Sequence, residues 1–159
     1  MAIEEAAYGP DHPHVAVTLT HLGRVQVQLG ELSAARATLE RALAITEAAY
    51  GPDHPKVAGT LTNLGVVRRG LGELPAALAT QERALAIKES AYGPYHPEVA
   101  GILFNLGVVR RDLGELPAAL ATLERALAIE ESAYGPDHPQ VAITLIELRI
   151  VQQQLADKK

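Results

Sequence analysis

The sequence of 159 residues contains no cysteine and no tryptophan, and only one phenylalanine. Lack of cysteine excludes disulfides, thiolate nucleophiles and zinc–thiolate sites, and it suits a reducing compartment, so the cytoplasm is the expected location. With aromatics at 4%, the core must be built from Leu, Ala, Val and Ile, which favours closely packed helices over a β-sandwich. Basic charge is in deficit: Lys and Arg number 14 against 19 Asp and Glu, a net charge of −5. No global field draws the chain to nucleic acid or to an anionic membrane. The longest uncharged apolar run, residues 99–109, is about half the roughly 20 residues a spanning helix needs. The start "MAIEEAAYGP" is acidic and lacks the basic and apolar parts of a signal peptide. A phosphate loop of the G-x-x-x-x-G-K-[ST] kind is absent, and His12 and His14 have only Asp11 beside them. Neither catalysis nor a cofactor or metal is expected.

What is present is repetition. "YGPDHP" begins at Tyr8, Tyr50 and Tyr134, and "YGPYHP" at Tyr92, always 42 residues apart, the mark of a stacked repeat protein. Val57, Leu61, Leu64, Val67 and Leu71 step by three or four, which places them on one helical face. This is helix A, and it stops at the glycines of "GLGEL". A second helix, B, follows Pro75. The pattern predicts helix A at about 13–29, 97–113 and 139–155, and helix B at about 33–49, 75–91 and 117–133. In the connector, Gly ends helix B, Pro blocks its continuation, and Asp is expected to cap the next helix A. His12, His54, His96 and His138 read as punctuation: one repeat apart, they would lie roughly 10 Å or more from each other, against metal–nitrogen bonds near 2 Å.

The stretch from Leu61 to Ile87 resembles the tetratricopeptide repeat, through Leu64-Gly65 in helix A, Gly72 at the turn, and Ala77 and Ala84 in helix B. The same positions recur as Leu22-Gly23, Gly30, Ala35 and Ala42, and as Leu106-Gly107, Gly114, Ala119 and Ala126. The period exceeds the usual length of about 34, as in the kinesin-light-chain-like variant of bacterial repeat proteins. Leu61 and Arg68 stand where the family often has aromatics. The resemblance implies an all-α, right-handed superhelical solenoid of antiparallel helix pairs with seven main helices. The whole chain, 1–159, then forms one repeat domain: a remnant of a preceding helix B at 1–8, repeats at 9–50, 51–92 and 93–134, and a capping helix A at 135–159. The remnant reading rests on "AIEEAAYGP" matching "AIEESAYGP" from Ala128; the chain looks cut from a longer array. Gly65 is expected to face Ala77 within a pair, and Ala84 to face the next helix A, where larger side chains would overpack the seam.

The resemblance further implies a protein-interaction scaffold that binds a peptide or protein segment in a concave groove lined by the A helices. The columns facing it would be His21, Asn63, Asn105 and Glu147; Thr20, Thr62, Phe104 and Ile146; Arg24, Val66, Val108 and Ile150; and Val27, Arg69, Arg111 and Gln153. Asn63 and Asn105 are expected to hold ligand backbone, Arg69 and Arg111, with Arg24, to attract acidic groups, and Phe104 to anchor an apolar side chain or to pack. Arg68-Arg69 and Arg110-Arg111 read equally as cations in the last turns of helix A that bridge to Glu73 or Glu115. Gly59 and Gly101 weaken helix A and either admit a ligand or loosen the stack. Ile143, Ile146 and Ile150 form an apolar stripe suited to homo-oligomers through the terminal helices. The competing readings are a self-assembling or consensus-like array without a dedicated ligand, and a sensor fragment of a larger signalling protein.

Overall fold

The computed structural model describes residues 2–158, and among these every regular element is an α-helix. In order these are α1 (Ala2–Tyr8), α2 (Pro13–Gln28), α3 (Leu32–Tyr50), α4 (Pro55–Gly70), α5 (Leu74–Tyr92), α6 (Pro97–Asp112), α7 (Leu116–Tyr134) and α8 (Pro139–Asp157). The A helices are α2, α4, α6 and α8; α3, α5 and α7 are B helices. The chain divides into two compact units, residues 1–87 and 88–159, with the boundary inside α5. In the first, α2 packs on α3, α3 on α4, and α2 reaches α4; in the second, α7 packs on both α6 and α8, and α6 reaches α8.

The turns follow from backbone chemistry. At the end of α4, only one of the two expected glycines has a left-handed backbone: Gly72 has φ +80°, while Gly70 is still helical. The Gly72 amide donates to the Arg69 carbonyl at 3.0 Å and the Glu73 amide to the Arg68 carbonyl at 2.9 Å, the Schellman arrangement that satisfies orphan carbonyls. In the connector, Gly51 has φ 89° and ψ 159°, a region open essentially to glycine alone.

Histidine, not aspartate, caps the A helices. His54 Nδ1 accepts from the Lys56 amide at 3.1 Å, and His12, His96 and His138 do the same two residues ahead. The following proline opens the helix, where its missing N–H costs nothing. The tyrosine of the connector stacks on the capping ring, with centroids 4.9 Å apart for Tyr50–His54, 4.8 Å for Tyr92–His96 and 4.6 Å for Tyr134–His138. Tyr95, which replaces the aspartate, therefore leaves the cap intact. Arginines of the B helices pin the connectors: Arg83 donates to the Pro52 carbonyl at 2.9 Å and to Glu47 at 3.1 Å, and Arg41 and Arg125 repeat the contact with Pro10 and Glu5, and with Pro94 and Glu89.

Packing reverses the expected roles of the small residues. Ala35, the counterpart of Ala77, clusters with Leu39 and with Leu64 and Val67 of the next helix A. Ala42, the counterpart of Ala84, sits with Val15, Ala16 and Leu19 of its own pair. The helix A glycines face a large side chain of helix B instead of an alanine: a β-carbon on Gly23 would meet Leu39 at 2.8 Å, one on Gly107 would meet Leu123 at 2.6 Å, and one on Gly65 would collide with Gln81. The seam is thus a knob of Leu or Gln over a glycine hole.

Candidate functional site

In the first unit the A-helix face is formed by α2 and α4. Arg24 is exposed, and Thr62, Asn63 and Arg69 are half-buried. The Thr62 hydroxyl donates to the Ala58 carbonyl at 2.9 Å, so it is committed to its own helix. Asn63 borders a cavity of about 310 Å³, set where α2, the end of α3 and the start of α4 meet. Its walls are mainly apolar, with Ala16, Val17 and the Tyr50 ring on one side and Gly59 on the other, and Lys56 also lines it. The Lys56 ammonium lies 4.5 Å from the centroid of the Tyr50 ring and 3.2 Å from its hydroxyl, a cation–π contact that holds it in place. Gly59 is exposed, and a β-carbon there would meet nothing within 4 Å. A glycine inside a helix costs about 1 kcal/mol against alanine, so its smallness is not demanded by packing.

In the second unit the same face belongs to α6 and α8. Phe104 is half-buried and packs against the cluster of Leu116, Ala119, Leu123, Leu148 and Val151, so the ring joins the core and does not stand out as a free anchor. Asn105 is half-buried. Arg111 is 16% exposed at its side chain, lies 2.6 Å from Glu147 and 3.2 Å from Asp112, and its charge is therefore matched by two carboxylates within the unit. A uniformly basic groove is not what forms there. Arg68 and Arg110 turn into the helix seam, donating at 2.5 Å to Thr80 and Thr122 respectively. Glu73 is held by Arg36. Ile143, Ile146 and Ile150 are exposed at 46%, 58% and 37%, with Leu145 beside them at 38%.

One buried acid escaped the sequence reading. Glu130 is 1% exposed, and the Thr144 hydroxyl donates to it at 2.7 Å. Burial raises its pKa above the usual carboxylate range, an effect opposed by hydrogen bonding to Thr144 and Gln140 and by the charge of His138. The sequence signal was the recurrence of Glu and Thr three repeats apart, Glu4 with Thr18 and Glu130 with Thr144, and the structure pairs Glu4 with Thr18 as well, at 2.5 Å. Among the described residues no group of three or more His, Cys, Asp or Glu could hold a metal ion, and no helix is long and apolar enough to cross a membrane.

Helix pairs joined by glycine turns, with knob-and-hole seams repeated every 42 residues, define a helical-repeat protein of the solenoid class. The chain belongs to the tetratricopeptide repeat family, whose profile matches residues 1–48, 34–90, 56–132 and 98–159. Among solved structures it is similar to BtubC (BKLC) from P. vanneervenii, with TM-score 0.83 and 24% identity over 91% of this chain and 58% of that one. The kinesin-light-chain-like protein of nearly identical TPR-like repeats from Podosopora anserina gives TM-score 0.82 and 23% identity over 89% of this chain and 67% of that one. The first TPR of Spaghetti, solved bound to the HSP90 peptide SRMEEVD, gives 0.66 and 22% over 89% of this chain and 93% of that one. At these identities the likeness establishes the fold. No curated protein matches the chain.

Proposed function

We propose that the protein is a non-catalytic scaffold that binds a peptide or protein segment along its A helices. The observation that carries this reading is where the repeats differ. The seam residues Leu64-Gly65, Ala77 and Ala84 recur unchanged in the neighbouring repeats, whereas the A-helix columns run His21, Asn63, Asn105, Glu147 and Thr20, Thr62, Phe104, Ile146. The glycine holes and small residues of the seam are kept, although its knob changes from Leu39 to Gln81 to Leu123, and much of the remaining variation falls on the A-helix face, where differences between repeats allow selective recognition. The peptide-bound Spaghetti domain supports the class of ligand.

In this reading Asn63 and Asn105 pair with ligand backbone, and Arg69, Arg111 and Arg24 draw acidic side chains. Arg111 is already held by Glu147 and Asp112, so a ligand carboxylate there must displace them. With SRMEEVD as the first probe, the double variant Arg69→Ala/Arg111→Ala is expected to weaken binding about tenfold and to flatten its salt dependence. Glu147→Gln, which removes one of the two carboxylates that hold Arg111, is expected to tighten it. Binding and salt slope that stay the same in the double variant would reject the role of both arginines.

A second reading, association of copies through α8, is favoured by the exposed Ile143, Ile146 and Ile150. It predicts that molar mass by light scattering rises with concentration, and that Ile146→Lys returns the protein to a monomer. A monomer across the whole range removes this reading.

A further inference from the structure

We propose that the cavity between α2 and α4 is a binding site for a small organic acid, with an apolar aromatic or branched body and one carboxylate. The inference goes beyond the peptide reading and does not rest on it. At about 310 Å³ the space lies at the lower end of ligand pockets, roughly 300–1,000 Å³, which are mostly apolar with a few placed polar groups. It is formed within one compact unit.

Two small residues keep the space open. Gly59 leaves it empty on the α4 side, and Thr20 is short on the α2 side. One period along, the same positions are again Gly101 and Thr62, and two periods along, in the second unit, they are Ile143 and Phe104, side chains of a size to occupy such a space. A helix-weakening glycine retained in open space, where any β-carbon would fit, is accounted for by the room it leaves for something else.

Charge sets this repeat apart from the next. Lys56 occupies a position that is His14, Glu98 and Gln140 in the other repeats, so of the two repeats with glycine at this place the one with Gly59 carries a cation and the one with Gly101 a carboxylate. Its ammonium is pre-positioned on Tyr50, and among the described residues no carboxylate lines the cavity. Asn63 and His21 add polar groups at the lining. The Thr46 hydroxyl donates to the Ala42 carbonyl at 2.8 Å, which leaves it little to offer a polar ligand and suits an apolar body. A cation at the border of an apolar cavity selects an apolar acid, because a charge-assisted hydrogen bond orients the carboxylate while the body is removed from water.

The test is a titration of the full chain with 4-phenylbutyrate, with its neutral amide, and with the capped tripeptide acetyl-Glu-Leu-Glu-amide, followed by amide NMR shifts. The acid is expected to shift Gly59, Thr60 and Asn63 saturably and to bind about tenfold more tightly than the amide. Lys56→Gln should abolish that preference and leave the binding of the amide unchanged. Gly59→Leu should remove binding of both while the melting temperature holds or rises, since the site has room and the helix gains propensity. No saturable binding of the acid, equal binding by Gly59→Leu, or tighter binding of the capped peptide than of the free acid would each overturn the proposal, the last by assigning the cavity to a side chain of a protein partner.

Discussion

Gly107→Val is expected to lower the stability of the protein by about 2 kcal/mol, within the range for overpacking a filled core. A β-carbon at Gly107 would stand 2.6 Å from Cγ and 2.7 Å from Cδ2 of Leu123, and Leu123 is fully buried among Leu116, Ala119, Leu148 and Val151. It has no free direction in which to retreat. Leu123→Ala alone should cost about 2–5 kcal/mol through the cavity it leaves. The double variant should be less destabilised than the sum of the two, by about 1 kcal/mol or more, because the valine fills the space the leucine vacates. Gly101→Val on the same helix is the control: its β-carbon meets nothing within 4 Å, so it should be neutral or stabilising. Denaturant unfolding of the four variants decides the matter, and a Gly107→Val midpoint equal to that of the parent would refute the knob-and-hole account of the seam.

Glu130→Gln is expected to raise the melting temperature near neutral pH. Burial of Glu130 disfavours its ionised form, so its folded pKa lies above the unfolded value. A group of this kind contributes its full stability below the unfolded pKa and loses it as pH rises through the raised folded value. Wild type is therefore the one that loses stability between acid and neutral pH, while the glutamine keeps a polar partner for Thr144 without a charge. The difference between variant and wild type should be largest at pH 7 and shrink towards pH 4. A difference that does not vary with pH would mean that the folded and unfolded pKa of Glu130 are the same, and a variant that gains on wild type towards pH 4 would mean that its neighbours hold it ionised.

Much of the architecture was legible before any coordinates. The 42-residue period, the helix pairs and their glycine turns were all written in local chemistry: predicted helices at about 13–29 and 117–133 became α2, Pro13–Gln28, and α7, Leu116–Tyr134. Of the candidate site, the A-helix face and its half-buried asparagines were readable as columns, whereas the partners of its residues were not. Arg111 meets Glu147 36 residues away, and Phe104 joins a cluster drawn from α7 and α8; each depends on how one helix is rotated against another.

The sequence by itself determined that this is an all-helical repeat chain, because helix periodicity, proline starts and glycine stops act within a few residues and repeat with the sequence. Only the tertiary structure decided that histidine rather than aspartate caps helix A, that Ala35 serves the next pair and Ala42 its own, and that Gly59 opens a cavity beside Lys56. These outcomes turn on ångström-scale distances between side chains far apart in sequence, set by the joint packing of several helices, and no one-dimensional pattern encodes that geometry.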